Sequence, residues 1–393
     1  MLYSARHMGM GGAAIGYVND PSAIFHNPAG LGQIENGEVI GDFSLLLGGI
    51  HASPGLGAAR DVDSDTTVAP FFLAGAGYRI HKLITLGVGV YPIASAGATF
   101  HYGATKDSTE LFFLEASPAI AWNVLPNLRL GVGYRVTYVR LNRYSGQPDS
   151  SSVPFLDFTL TGQNYTGFRV GAQYDLLPWL QFGAVFRNPT TTKVTNSHGT
   201  ALRSEFTDVS TKFKLPAKLG FGAHADFEEL GLHGALAADF EYTFNGENKG
   251  YPLIGTESGM TTQTSVSNVF EWSNSETYRF GAEYRVWRNQ ALQIDRIPIR
   301  AGFVHDTKTA NAQYPTPFGT PPGATNIVTV GTGYNGGNWQ ANLAYAYRFG
   351  HGAVTAADLN APGRKPCQFC GTNGKDDYAI HLSGIYVDAS YKF

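Results

Sequence analysis

From Glu38 onward the chain alternates. In the stretch 128–138, Leu128, Leu130, Val132, Tyr134, Val136 and Tyr138 fall on one face, and Arg129, Gly131, Gly133, Arg135 and Thr137 on the other. In 339–349 the apolar set is Trp339, Ala341, Leu343, Tyr345, Tyr347 and Phe349, against Gln340, Asn342, Ala344, Ala346 and Arg348. Strict alternation of this kind predicts half-buried β-strands. The second face is the unusual one, because it holds Arg, Gln, Glu, Asp and Gly. About fourteen such segments can be traced, many near the ~10 residues of a membrane-spanning strand. They start near Val39, Val68, Ile84, Leu111, Leu128, Tyr165, Leu180, Leu215, Leu232, Thr277, Ile297, Asn326, Trp339 and Tyr378.

The junctions fall into two kinds. Stretches 125–127, 176–179 and 335–338 are short and turn-like, whereas 143–164, 187–212, 245–276, 306–325 and 350–377 are long and polar. Short turns at one end and long loops at the other are the asymmetry of an outer-membrane barrel. The last strand ends on an aromatic, with Phe393, Tyr391, Ala389, Val387 and Ile385 on one face. That ending resembles the C-terminal insertion signal of bacterial outer-membrane proteins, which implies the barrel-assembly machinery as a partner. The fold class is therefore all-β: a transmembrane antiparallel β-barrel of about 14 strands, in which closure removes the exposed edges.

Composition sharpens this picture. Charged residues make up 15% of the chain and aromatics 13%, with 48 glycines among 393 residues. Soluble domains carry about 25% charge, so part of this surface is expected to face something other than water. A net charge of −3 leaves no electrostatic footprint for nucleic acid. No apolar run reaches the ~18 residues of a transmembrane helix. The opening MLYSARHMG has no long apolar core, so no signal peptide is visible; either one was removed or the chain is cytosolic. Cys367 and Cys370 form a CxxC without two further ligands, which leaves a loop disulfide or two free thiols.

Other motifs are imitations. Gly9, Gly11 and Ala14 mimic a nucleotide fingerprint, but no strand precedes them. Asp61, Asp63 and Asp65 mimic a calcium loop, yet Thr66 and Phe72 stand where Gly and Glu are needed. No nucleophile elbow or zinc-protease motif appears. The chain is read as a non-enzyme without cofactor or metal.

Residues 1–37 break the pattern. A glycine cluster, Gly9 to Gly12, precedes Asp20 to Ala23 and the turn Asn27-Pro28-Ala29-Gly30-Leu31. Proline fixes φ and pushes the preceding residue away from helix, and glycine permits the bend. This block resembles the N-terminal plug of the FadL/TodX family of outer-membrane transporters for hydrophobic compounds. Stretches 83–100, 114–122 and 278–306 also resemble strands of that family. Stretch 320–331, TPPGATNIVTVG, departs from it by lacking the family's acidic and arginine residues.

The resemblance implies two parts, a plug over 1–37 and a barrel over 38–393, forming a monomer in the bacterial outer membrane. It implies passive uptake of fatty acids or hydrocarbons, with a hydrophobic small molecule and the lipid bilayer as partners. Asn27, Pro28, Ala29 and Gly30 would belong to the plug gate. Pro92, Ser95 and Gly97, where the third strand is interrupted, would form a lateral exit. Arg143, which shares inward parity with Arg129 and Arg135 and sits just beyond the fifth strand, would meet a ligand carboxylate. The competing readings are a structural or adhesive barrel, a polar-solute porin, and a barrel enzyme such as a lipase.

Overall fold

The computed structural model describes residues 3–52, 62–289, 294–315, 322–368 and 376–393. Among them fourteen antiparallel strands form the wall. They are β1 (Gly37–Ala52), β2 (Thr67–His81), β3 (Ile84–Tyr102), β4 (Thr105–Leu125), β5 (Leu128–Gly146), β6 (Leu156–Leu177), β7 (Leu180–Arg187), β8 (Lys218–Asp226), β9 (Gly234–Thr243), β10 (Ser275–Asn289), β11 (Ile294–Asp306), β12 (Thr325–Asn335), β13 (Trp339–Val354) and β14 (Asp376–Lys392). Each pairs with its neighbour, and β14 closes on β1 from Glu38↔Lys392 to His51↔Ala379. Closure pairs every wall strand on both sides, which is what lipid demands of a spanning sheet.

Alternation assigns the faces. On β1, Val39 and Phe43 are exposed while Glu38, Asp42 and Ser44 are buried. On β5, Leu130, Val132 and Tyr134 are exposed while Arg129 and Arg135 are buried. The apolar residues thus point out and the charges point in, the inverse of a soluble sandwich. Tyr78, Tyr391 and Phe393 stack in a row at the short-turn end, where aromatic rings suit the membrane interface.

Several expectations need correction. The stretch read as a loop over 187–212 is mostly taken up by the strands Thr190–Ala201 and Ser204–Leu215, which pair with each other. Leu215 ends the second of these rather than opening the next wall strand, which begins at Lys218. Asn188-Pro189 and Pro216-Ala217 separate the two from β7 and β8. β7 and β8 are therefore each continued by a further strand across one proline, which cannot donate to the ladder. The strands Leu253–Glu257 and Gln263–Val266 form a further hairpin inside the expected loop 245–276. Arg143 lies within β5, which continues to Gly146, and β6 starts at Leu156.

The N-terminal segment consists of a five-residue helix α1 (Ala5–Gly9), a one-turn helix α2 (Ala23–His26) and a 3-10 turn (Pro28–Gln33). Its partners lie on the inward faces of strands around the wall. Asp388 of β14 accepts from Ser4 Oγ at 2.8 Å and from the Arg6 amide at 3.1 Å. Asp239 of β9 accepts from the amides of Ala14 (2.8 Å) and Ile15 (3.1 Å). On the other side Asn123 and Arg79 donate to the Gly32 carbonyl at 3.0 and 2.9 Å. Wall glycines allow this close approach: a Cβ on Gly131 would lie 2.3 Å from the Ala29 nitrogen, and one on Gly171 would lie 1.9 Å from Asn27 Oδ1.

Candidate functional site: a wall gap beside an apolar lining

β2 and β3 pair only over part of their length. Their ladder runs from His81↔Ile84 to Ala74↔Val90 and stops. Above that point β2 remains paired with β1 as far as Thr67↔Gly48, and β3 remains paired with β4 as far as Tyr102↔Thr105. The two strands meet again where the Asp65 amide donates to the Thr99 carbonyl at 2.8 Å. Between these limits, residues 66–73 and 91–98 share no ladder pairing among the described residues.

The gap begins at the proline. The β3–β4 register shifts between Pro92 and Ala94, so Ile93 is an extra residue. A bulge adds one residue to one strand, disrupts the ladder and bends the strand. It also inverts the inward–outward parity of the residues beyond it. Ser95 and Gly97 pair with Phe112 and Glu110, the outward set of β4, while Ala94 pairs with inward Phe113. Pro92 therefore sits at the base of the gap, with Ser95 and Gly97 along its outer edge.

Inside, the gap opens onto apolar side chains. Phe71, Leu73 and Tyr91 are buried in one cluster with Tyr3 and Ile24. Ile93 belongs to a second, larger cluster that holds Phe113, Val139, Leu141, Leu156, Phe158 and Leu160 of the wall. The same cluster takes in Val194, Phe206, Val209 and Leu215 from the two strands above β7 and β8. Phe25 of the N-terminal segment packs against both clusters. A continuous apolar lining thus runs from the long-loop half of the lumen to the gap, with Phe25 at the junction.

Three aromatic rings stand at that junction. Phe25 meets Tyr3 edge-on at 5.0 Å and Tyr91 at 5.4 Å between centroids. The Tyr3 hydroxyl donates to the Pro92 carbonyl. The Tyr91 hydroxyl donates to Glu115 at 2.6 Å, and Arg135 Nε donates to the other Glu115 oxygen at 2.6 Å. Arg169 donates to the Tyr91 oxygen at 3.1 Å and also to the Ile24 carbonyl. Arg169 Nη2 also stands 3.6 Å from Glu115, and two guanidinium groups on one carboxylate leave a net positive charge under the apolar lining. A cavity of about 50 Å³ beside it is lined by Arg169, Arg187, Lys218 and Arg279 against Asp239 and Glu241.

The sequence reading missed Tyr3, Phe25, Tyr91, Glu115 and Arg169. Inward parity was the available signal for Glu115 and Arg169, since each opposes the apolar face of its own strand.

The expected plug residues hold the segment's own turn. Asn27 Nδ2 donates to the Ile15 carbonyl at 2.8 Å and to the Ala172 carbonyl of β6 at 3.0 Å, while its Oδ1 accepts from the Ala29 amide at 3.2 Å. Pro28 opens the 3-10 turn, where a missing amide costs nothing. Gly30 passes so close to Val18 that a Cβ would lie 2.2 Å from its carbonyl oxygen.

Arg143 faces inward near the top of the apolar lining, beside Leu141. It donates to Asp107 at 2.5 Å, to Thr109 Oγ1 at 2.7 Å and to the Ser108 carbonyl at 3.3 Å. Asp107 is fully buried, so the pair is an internal ion pair of the wall. Cys367 is disulfide-bonded; Cys370 and Asp61 lie outside the described residues.

The family model described as outer membrane protein transport protein (OMPP1/FadL/TodX) matches residues 3–369. No curated protein matches the chain. Solved structures share the fold at low identity. The toluene transporter TodX of Pseudomonas putida superposes with a TM-score of 0.70 at 16% identity, covering 100% of this chain and 99% of that one. The toluene transporter TbuX of Ralstonia pickettii gives 0.70 at 16%, covering 100% and 98%. A Pseudomonas aeruginosa FadL homologue gives 0.70 at 14%, covering 98% and 96%. With a closed barrel, inward charges and a family match over nearly its whole length, the chain belongs to the OMPP1/FadL/TodX family of outer-membrane transport proteins.

Proposed function

We propose that this protein carries hydrophobic small molecules, fatty acids or hydrocarbons, passively across the outer membrane and releases them sideways through the gap between β2 and β3. The observation that carries this reading is the loss of pairing between those strands where the apolar lining reaches the wall. An apolar solute gains about 0.8 kcal/mol per CH₂ on leaving water. It has no use for an aqueous channel, but a slot into the bilayer offers it a downhill path.

Residues 1–37 act in this reading as a plug with a movable N-terminal end. Asn27 to Gly30 hold the plug's fixed turn against β5 and β6. Tyr3 and Phe25 close the junction, and displacement of α1 would open the way from the apolar lining to the slot. Pro92 makes the bend, and the outward Ser95 and Gly97 keep the slot's rim small.

Arg143 is the proposed contact for a cargo carboxylate. It stands at the upper margin of the apolar lining with its Nη1 nitrogen already held in place by Asp107 and Thr109. A carboxylate there would share a cation that the wall has oriented in advance.

The test is uptake of a long-chain acid and of a monoaromatic hydrocarbon into liposomes carrying the purified barrel, alongside glucose. Uptake of either apolar compound well above that into protein-free liposomes, without glucose, supports the reading. Equal passage of glucose would make the chain a polar porin, and no passage of any solute would leave a structural barrel.

A further inference from the structure

The outer surface of the barrel carries a group of cations that transport does not use. Lys193 and Lys212 stand directly opposite each other in the ladder between Thr190–Ala201 and Ser204–Leu215. Thr192, Val194 and Thr211 beside them are buried on the inward face, so both lysines project outward, and both are exposed. Arg140 of β5 is on the same outer face. It opposes Thr161 of β6, and Thr161 opposes Thr195, one outward position above Lys193. Two strand spacings and one two-residue step place Arg140 roughly 10 Å across from Lys193 and about 7 Å along. Long side chains from these positions can converge on one polyanionic group.

This arrangement is costly as it stands, because like charges directly opposite in an antiparallel pair repel. The neighbouring position shows the ordinary remedy: Lys214, the next outward residue below Lys212, is bridged by Glu247. Arg140, Lys193 and Lys212 have no carboxylate partner among the described residues. By register, Glu110 is diagonal to Arg140 across β4, on the side away from the lysines.

Height identifies what the cluster meets. From exposed Phe182 of β7, near the short-turn end, to Lys193 is 11 residues, and from exposed Leu130 to Arg140 is 10. At about 3.3 Å per residue and ~40° of tilt these spans rise roughly 25–28 Å. The apolar band of an outer-membrane barrel is about 25 Å tall. The cations therefore stand at the outer margin of the bilayer, and Tyr138 lies one outward position below Arg140.

We propose that Arg140, Lys193 and Lys212 form a binding site for the phosphate groups of a phosphorylated glycolipid in the outer leaflet. The phosphates would relieve the lysine–lysine repulsion, and clustered basic residues at a membrane surface are a recognised match for anionic headgroups. The proposal rests on the chain's place in the outer membrane and is independent of the cargo and of the exit route.

The probe is bisphosphorylated lipid A in mixed micelles with a neutral detergent, with binding read by native mass spectrometry. Dephosphorylated lipid A, phosphatidylglycerol and inorganic pyrophosphate are compared in the same micelles. Lys193→Gln/Lys212→Gln should weaken lipid A binding about thirtyfold, at roughly 1 kcal/mol per lysine. Lys193→Glu, which pairs with Lys212 and so protects the fold, should weaken it at least as far. Heat-modifiable migration on a denaturing gel checks folding, and liposome uptake should match the unaltered protein. Equal binding by the unaltered protein and both folded variants would overturn the proposal. So would tight binding of dephosphorylated lipid A or phosphatidylglycerol, or displacement of lipid A by equimolar pyrophosphate.

Discussion

The hydroxyl of Tyr3 donates to the carbonyl of Pro92. The beginning of the N-terminal segment is thereby tied to the residue at which the third wall strand bends out of register. Movement of either end would be felt at the other, because the aromatic packing of Tyr3, Phe25 and Tyr91 lies directly beneath this bond.

Tyr3→Phe keeps the ring and removes the bond. A neutral buried hydrogen bond contributes about 1 kcal/mol, and the Pro92 carbonyl would be left without this donor. The variant should fold and yet release its N-terminal end more often. Proteolysis of the N-terminal segment and uptake of an apolar probe should both rise several-fold. Unchanged cleavage and uptake would mean that Tyr3 is no latch.

Pro92→Val tests the bend. Valine can donate and favours the extended ladder, so pairing with β2 should extend upward and uptake should fall, while ligand binding in the lumen persists. Gly97→Val is the wrong companion for it. A Cβ at Gly97 would lie 2.5 Å from the Thr109 carbonyl of β4, so valine there would disturb the β3–β4 ladder instead of sealing the slot. Full transport by a folded Pro92→Val barrel would count against a lateral route.

Arg143→Ala should be severe for two reasons that can be separated. It strands buried Asp107, and breaking a buried pair costs about 3–5 kcal/mol. Arg143→Ala with Asp107→Asn should restore most of the stability. If Arg143 also holds a cargo carboxylate, the double variant should bind a long-chain acid about ten- to a hundredfold more weakly, at roughly 1.5–3 kcal/mol for a charge-assisted contact. A neutral hydrocarbon should bind as before. Equal affinities for the acid in the double variant and the unaltered protein would restrict Arg143 to the wall.

The N-terminal segment should loosen in acid. Burial pushes the His26 imidazole down to about 3, and burial also lowers His7 despite the opposing pull of Asp20. A released segment would return both to about 6.5. The docked N-terminal segment therefore favours neutral histidines, and this contribution is complete above about pH 6.5 and declines as the pH falls toward 3. Protection from hydrogen exchange over residues 3–34, taken relative to the intrinsic amide rate at each pH, should be lower at pH 5 than at pH 7.5. His7→Gln/His26→Gln should flatten that difference; if the same pH dependence remains, other groups produce it.

Much of the barrel was legible because alternation is a local property with a period of two residues. The strand starts at Ile84, Leu128, Leu180 and Trp339 coincide with the observed ones, and the outward and inward sets on β5 and β13 were assigned from spacing alone. Prolines and the Asn27-Pro28-Ala29-Gly30 turn were likewise visible, since their conformational limits are intrinsic. The signal failed where the bilayer stopped imposing it. The strands Thr190–Ala201 and Ser204–Leu215 read as a polar loop because outward residues above the membrane meet water and need not be apolar. The rest depended on contacts distant in sequence. Asp107 is 36 residues from Arg143 and becomes its partner only through the β4–β5 register. Tyr3 is 89 residues from Pro92. The gap between β2 and β3 exists because β2 stays with β1 and β3 stays with β4 after they part from each other. No single strand's pattern contains that divergence, since it is a relation between two ladders and appears only once the sheet has closed around the N-terminal segment.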